Sequence, residues 1–167
     1  MNFLSEDRQL ASRIYTPTYR KSSGSGLLFV HGLGSSQSGY VQYAERTAEA
    51  LGATCLTFDL GGHGESTGCR DQLAPTNHLT DLLAAYDLLV EQDGVTPDRI
   101  GVCGGSYGAY LASFLLRYRR VSRLLLRAPA LYEDDLFEIP LAQSRSLSAE
   151  VTASRLLHAL QGFKGSS

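Results

Sequence analysis

The stretch "RIGVCGGSYGAYLASFLLRYRR", running from Arg99 to Arg120, sets a serine between two glycines where one pattern of apolar residues gives way to another. Ile100, Val102 and Cys103 form a short buried-strand pattern, and Tyr107, Tyr110, Leu111, Phe114, Leu115 and Tyr118 recur on one helical face. A strand passes into a helix within about one residue, with Ser106 at the turn. Such a turn needs Gly104 and Gly108 where a Cβ would collide, and it lifts the hydroxyl clear of the sheet. The first backbone N–H groups of the helix then face anything bound to the serine and favour negative charge forming there. That is the chemistry of a nucleophilic hydroxyl with an anion-stabilising amide beside it. The competing reading is a serine that only caps the helix.

A second glycine motif, His31-Gly32-Leu33-Gly34, follows another apolar run. Its glycines allow backbone N–H groups to turn inward, as an oxyanion site requires. A dinucleotide loop fails here because Gln37 stands where the third glycine of G-x-G-x-x-G belongs, and no Gly-Lys-Ser/Thr follows for a phosphate loop. Arg117, Arg119 and Arg120 read as the cationic last turn of a helix rather than a binding patch. The acidic run "YEDDLFE" reads as a solvated loop rather than a metal site, which would want carboxylates converging from several elements.

These motifs sit at the ends of apolar runs at 27–30, 54–58, 100–103 and 121–126, after an N-terminal segment that supplies one or two edge strands around residues 9–15. Amphipathic segments alternate with them. Val41, Ala44, Ala48 and Leu51 share a face that stops at Gly52; Leu79, Leu82, Leu83 and Tyr86 share another; Ala153, Leu156, Leu157 and Leu160 share a third. Strand-helix alternation of this kind predicts the α/β class: a mostly parallel, doubly wound sheet with helices on both faces and its chemistry at the carboxyl ends of the strands.

Composition narrows the partners. The 167 residues are 43% hydrophobic and 19% charged, the balance of one globular domain with a real core. Fifteen Lys and Arg against seventeen Asp and Glu leave a net charge of −2, which argues against nucleic acid as a partner. No apolar run approaches membrane-spanning length, and "MNFLSEDRQLASRIY" carries acidic residues where a leader would be basic. Three cysteines cannot close a disulfide framework, so the expected compartment is cytoplasmic.

"HGLG", "DLGGHGES" and "GGSYG", in that order and over residues 9–164, resemble the α/β-hydrolase fold, specifically its serine-aminopeptidase-like and monoacylglycerol-lipase-like branch. The resemblance implies that Ser106 is the nucleophile on its elbow and that the amides of Leu33 and Tyr107 are the oxyanion donors, with Gly32, Gly34, Gly104 and Gly108 shaping the two loops. It implies a small-molecule acyl substrate (an ester, thioester or amide) and neither cofactor nor metal. His31 and His63 take structural roles, and residues 59–66 form a structural loop in which Gly61 replaces the branch's usual Arg, leaving a supporting ion pair or hydrogen bond missing. His78, in the first turn of a helix, reads as a solvated flank.

A hydroxyl needs a base, and the base a third group to orient it. The family's order is Ser, then Asp or Glu, then His, the last two following strands beyond a cap region. The resemblance therefore implies one incomplete domain over residues 1–167, lacking its last two strands, with the start of a cap at 129–162. Within the chain His158 is the only histidine after Ser106, and with Asp134 or Asp135 between them it offers that order, but by helical wheel His158 points away from the face of Leu156, Leu157 and Leu160. The strand at 121–126 becomes a bare apolar edge open to self-association. The alternative to a serine hydrolase is a non-catalytic truncated fragment or a binding module that keeps the pocket.

Overall fold

The computed structural model describes residues 1–130, 132 and 137–143. Six strands form one sheet in the order β1-β2-β4-β3-β5-β6: β1 Asn2–Ser5, β2 Arg8–Tyr15, β3 Gly26–Val30, β4 Thr54–Phe58, β5 Ile100–Gly105 and β6 Arg123–Arg127. The N-terminal pair is antiparallel, with β1 on β2 and β2 on β4, whereas β4, β3, β5 and β6 run parallel. Three helices connect them: α1 Val41–Leu51, α2 Pro75–Val90 and α3 Tyr107–Leu115.

Period-two alternation on β3 explains why both faces are covered. Leu28 and Val30 enter a core with Leu82 and Leu89 of α2 and Leu111 and Leu115 of α3, while Phe29 packs on the other face with Tyr40, Ala44, Ala48 and Cys55. From β3 the chain crosses through α1 to β4 on one side, then through α2 to β5 on the other. The reversal at β3 opens the crevice at the carboxyl ends of β3 and β5. The loop after β3 and the turn after β5 are therefore neighbours.

Several expectations shift. The expected strand at 121–126 lies at Arg123–Arg127, where alternate residues face outward and Leu125 is 62% exposed. Only Ala44 and Ala48 of the expected α1 face are buried; Leu51 is exposed beside Gly52, whose φ of 64° closes the helix. The arginines at 117, 119 and 120 are not a helical last turn, because α3 stops at Leu115, whose carbonyl accepts from both Tyr118 and Arg119 amides. Tyr118 is accordingly exposed, Arg119 grips Asp87 through Nε and Nη2 at 2.7 Å each, and Arg120 pairs with Asp98. Among the described residues no helix is long and apolar enough to cross a membrane.

Candidate active site

Ser106 occupies a backbone conformation that L residues rarely adopt, φ 51° and ψ −116°, at the junction of β5 and α3. Parallel pairing with β6 and the start of α3 over-determine it. Its amide donates to the Arg127 carbonyl, and its carbonyl accepts from the amides of Ala109, Tyr110 and Ala130. The glycines on either side are required by contact. A Cβ on Gly104 would lie 2.5 Å from the Gly108 carbonyl oxygen, and one on Gly108 would lie 2.3 Å from that of Val30. Ser106 is exposed and makes no side-chain cap bond, which removes the helix-cap reading; among the described residues its Oγ has no hydrogen-bond partner. The hydroxyl stands free.

The loop after β3 meets the elbow. A Cβ on Gly32 would lie 3.3 Å from the Ser106 Cβ and 4.0 Å from its Oγ, so the two backbones approach closely. The Gly32 carbonyl accepts from the Ser35 amide at 3.1 Å and from His31 Nδ1 at 2.8 Å. Because a trans peptide directs its C=O and N–H oppositely, fixing the Gly32 carbonyl also fixes the direction of the Leu33 N–H. Leu33 itself is 42% exposed, and Gly34 turns away at φ 73° with open space around it. The Tyr107 amide, first in α3, has no acceptor within its own helix.

All three described histidines are buried in one row, with centroids 5.2 Å apart for His31 and His63 and 5.4 Å for His63 and His78. His78 is no solvated flank: it is fully buried, its Nδ1 accepts from the Tyr107 hydroxyl at 2.8 Å and its Nε2–H donates to the Gly61 carbonyl at 3.0 Å. His31 Nε2 accepts from the Leu60 amide at 3.0 Å, and His63 Nδ1–H donates to the Gly61 carbonyl at 2.9 Å. Burial holds them neutral, pushing His31 down to about 4, His78 down to about 3, and His63 in the same direction. Burial also raises the Tyr107 hydroxyl, keeping it a donor to His78. The rings meet at interplanar angles of 55° and 68°, and no cluster among the described residues could hold a metal ion.

The loop after β4 is built around two buried carboxylates. Asp59 accepts from the Gln37 amide at 2.6 Å, Gln37 Nε2 at 3.1 Å and the Glu65 amide at 3.0 Å. Asp81 of α2 accepts from Ser5 Oγ at 2.6 Å, Arg8 Nη2 at 3.0 Å and the Gly61 amide at 2.9 Å. The support expected to be missing at Gly61 is thus present from elsewhere. Arg8 of β2 reaches in so that its Cδ lies 3.0 Å from where a Gly61 Cβ would be, and pairs with Asp81. Asp134, Asp135 and His158 lie outside the described residues, as does the expected last helix.

Residues 27–165 match the model of the alpha/beta hydrolase family, which spans most of the chain. The chain belongs to that family. It is 27% identical over 135 residues to the thiohydrolase aneE of Aspergillus aculeatus, covering 80% of this chain and 42% of that protein. The fold matches Est1E of Butyrivibrio proteoclasticus, solved with ferulic acid bound, at a TM-score of 0.65 and 21% identity, over 74% of this chain and 50% of that one. It also matches the enol-lactonase of Burkholderia xenovorans LB400 at a TM-score of 0.63 and 19% identity, over 78% and 47%. The chain spans half or less of the length of each of these proteins.

In this alpha/beta hydrolase family member Ser106 stands at the turn from β5 to α3, at the opposite end of the sheet from a pocket lined by Ser23, Ser25, Leu27 and Arg99. Sequence reasoning missed His78, Asp81, Arg8, Asp59 and Gln37. A wheel started at His78 finds two of them: His78, Asp81, Leu82, Ala85 and Leu89 lie on one face and are all fully buried. For Arg8 the signal is absent, because its partner is 73 residues away.

Proposed function

We propose that this protein is a serine hydrolase of the alpha/beta hydrolase family, cleaving an ester, thioester or amide through an acyl-enzyme on Ser106. Ser106 Oγ attacks the substrate carbonyl carbon as a general base removes its proton. The tetrahedral oxyanion is held by the Leu33 and Tyr107 amides, and the leaving group departs with the proton. Water then attacks the acyl-enzyme and restores the hydroxyl. The observation that carries this reading is an exposed serine in a strained elbow whose hydroxyl caps nothing. The thiohydrolase relative supports the thioester among the three bonds. The motif resemblance adds the serine-aminopeptidase-like and monoacylglycerol-lipase-like branch with a small-molecule acyl substrate, the cysteine count adds a cytoplasmic setting, and the outer edge of β6, with Leu125 exposed, invites self-association.

A second reading has its own observation: His31, His63 and His78 are buried away from Ser106 Oγ, and none of them hydrogen-bonds to it. On that reading the chain is a binding module that keeps the pocket without turnover. A fluorophosphonate probe separates the two. Labelling that disappears in Ser106→Ala supports the hydrolase, whereas folded protein that takes no label supports the module.

A further inference from the structure

We propose that His78 is a positioning residue for the oxyanion hole, clamping the start of α3 to the loop after β4 through the Tyr107 hydroxyl and the Gly61 carbonyl. The inference rests on the reading of Ser106, Leu33 and Tyr107 given above.

Tyr107 follows Ser106 directly, so whatever fixes its side chain fixes the peptide whose N–H serves as a donor. Its ring is fully buried and meets His78 edge-on at 5.6 Å, with the hydroxyl 2.8 Å from Nδ1. Since Nδ1 accepts, the proton sits on Nε2 and is donated to the Gly61 carbonyl at 3.0 Å. Both ring nitrogens are committed, and the ring can neither rotate nor flip without breaking a buried bond.

What Gly61 is fastened to gives the clamp its purpose. The Gly61 amide is held by Asp81, itself paired with Arg8, while its carbonyl also receives His63 Nδ1–H. One residue earlier, the Leu60 amide donates to His31 Nε2, and His31 Nδ1–H holds the Gly32 carbonyl and with it the Leu33 peptide. The two donors of the oxyanion hole come from loops 74 residues apart, yet both are referred to the same pair, Leu60 and Gly61: Leu33 through His31, Tyr107 through His78. His63 fills the space between those two rings and keeps them in register. The groups acting on His78 are Tyr107 from α3, the Gly61 carbonyl, His63 and His31 from the loops and Arg8 from β2; burial with His63, His31 and Arg8 favours its neutral form and outweighs the opposing hydrogen bond to Gly61. A ring of the same size without nitrogens would fill the space and hold nothing.

The test compares His78→Leu, which removes both bonds, with His78→Gln, whose amide supplies one donor and one acceptor, and with Leu89→Ala, a core truncation on the same face of α2. Two readouts are taken: the inactivation rate and the affinity for a fluorophosphonate, and the amide NMR shifts of Leu33 and Tyr107 with hydrogen exchange at Ala109 and Tyr110. His78→Leu is expected to slow inactivation roughly ten- to a hundredfold, less than loss of a donor outright, at unchanged probe affinity. It should also move both amide shifts and speed exchange in the first turn of α3. His78→Gln recovers most of each, and Leu89→Ala changes neither shift. The proposal is overturned if His78→Leu leaves the Leu33 and Tyr107 shifts in place, or if it does no more than Leu89→Ala. Should wild-type protein take no label, the hydrolase reading fails while the amide shifts still decide the clamp.

Discussion

Acid should unfold this protein earlier than its carboxylates alone would require, and the buried histidines set the size of the effect. In the unfolded chain each histidine titrates near its ordinary value, about 6.5. In the folded protein His31 is pushed down to about 4 and His78 to about 3, both by burial. Above the unfolded value neither state binds a proton and stability is flat. Below it the unfolded chain takes up protons that the buried native histidines refuse, so stability falls with pH until the folded values are reached. At about pH 5 each of these two histidines disfavours the native state by about 2 kcal/mol, together about 4 kcal/mol out of a typical total of roughly 5–15 kcal/mol. His63 shifts the same way and adds to the loss. Urea unfolding followed by circular dichroism at pH 8, 6.5 and 5 measures this directly, with about 1.5 protons taken up on unfolding by His31 and His78 in the lower interval and a further contribution from His63. His78→Gln should begin less stable at pH 8 and then lose about 2 kcal/mol less than wild type on going to pH 5. Equal stability at pH 8 and 5, or an identical loss in His78→Gln, would refute the burial of these histidines in neutral form.

Three other perturbations test the scaffold. Arg8→Met should cost about 3–5 kcal/mol, because it leaves the fully buried Asp81 carboxylate without its cation, and Arg8→Met with Asp81→Leu should recover part of that in a thermodynamic cycle. Ser106→Gly should raise the denaturation midpoint by the equivalent of about 1–3 kcal/mol while abolishing probe labelling, since glycine relieves the strain at φ 51°; a less stable variant would show that the elbow is not strained. Gly108→Ala should destabilise the protein by several times the loss of an ordinary surface substitution and lose the label as well, because its methyl group meets the Val30 and His31 carbonyls.

How much of this was legible follows from how far apart the partners are. Strand and helix periods are local, and they placed β3, β4 and β5 within a residue or two, because each buried run also alternates between two covered faces. The end of α3 was misjudged because Tyr118 continues the helical spacing; the chain leaves the helix there to give Arg119 and Arg120 to Asp87 and Asp98, contacts with no local signature. Gly104 was legible for the opposite reason, since the collision it avoids is with Gly108 and Ala109 of the helix that follows, whereas the contacts that require Gly108, the Val30 and His31 carbonyls, are distant in sequence. His78 lay between these cases, since its burial could be read from its phase with Leu82, Ala85 and Leu89, but its partners could not.

The topology explains why two short motifs so far apart in sequence describe one place. A parallel sheet whose crossovers reverse direction at β3 must put the loop after β3 beside the turn after β5, and the register Val30 to Gly104 leaves Gly32 so close to Ser106 that a Cβ there would lie 3.3 Å from the Ser106 Cβ. Closeness alone does not aim an amide, however. The peptide planes of Leu33 and Tyr107 belong to different loops, and a sheet constrains neither beyond its last hydrogen bond. A third loop, the one after β4, lies on the far side of β3 and is stiffened by Asp59 and Asp81; the histidines bridge from it to both. Buried neutral imidazoles suit that task because each offers one donor and one acceptor in a rigid plane and adds no charge to the interior beneath a site where negative charge is to form. Replacing any of them with a cation at neutral pH would stabilise an anion without aiming anything, and replacing them with apolar rings would leave the Leu60 amide or the Gly61 carbonyl short of a partner in the core.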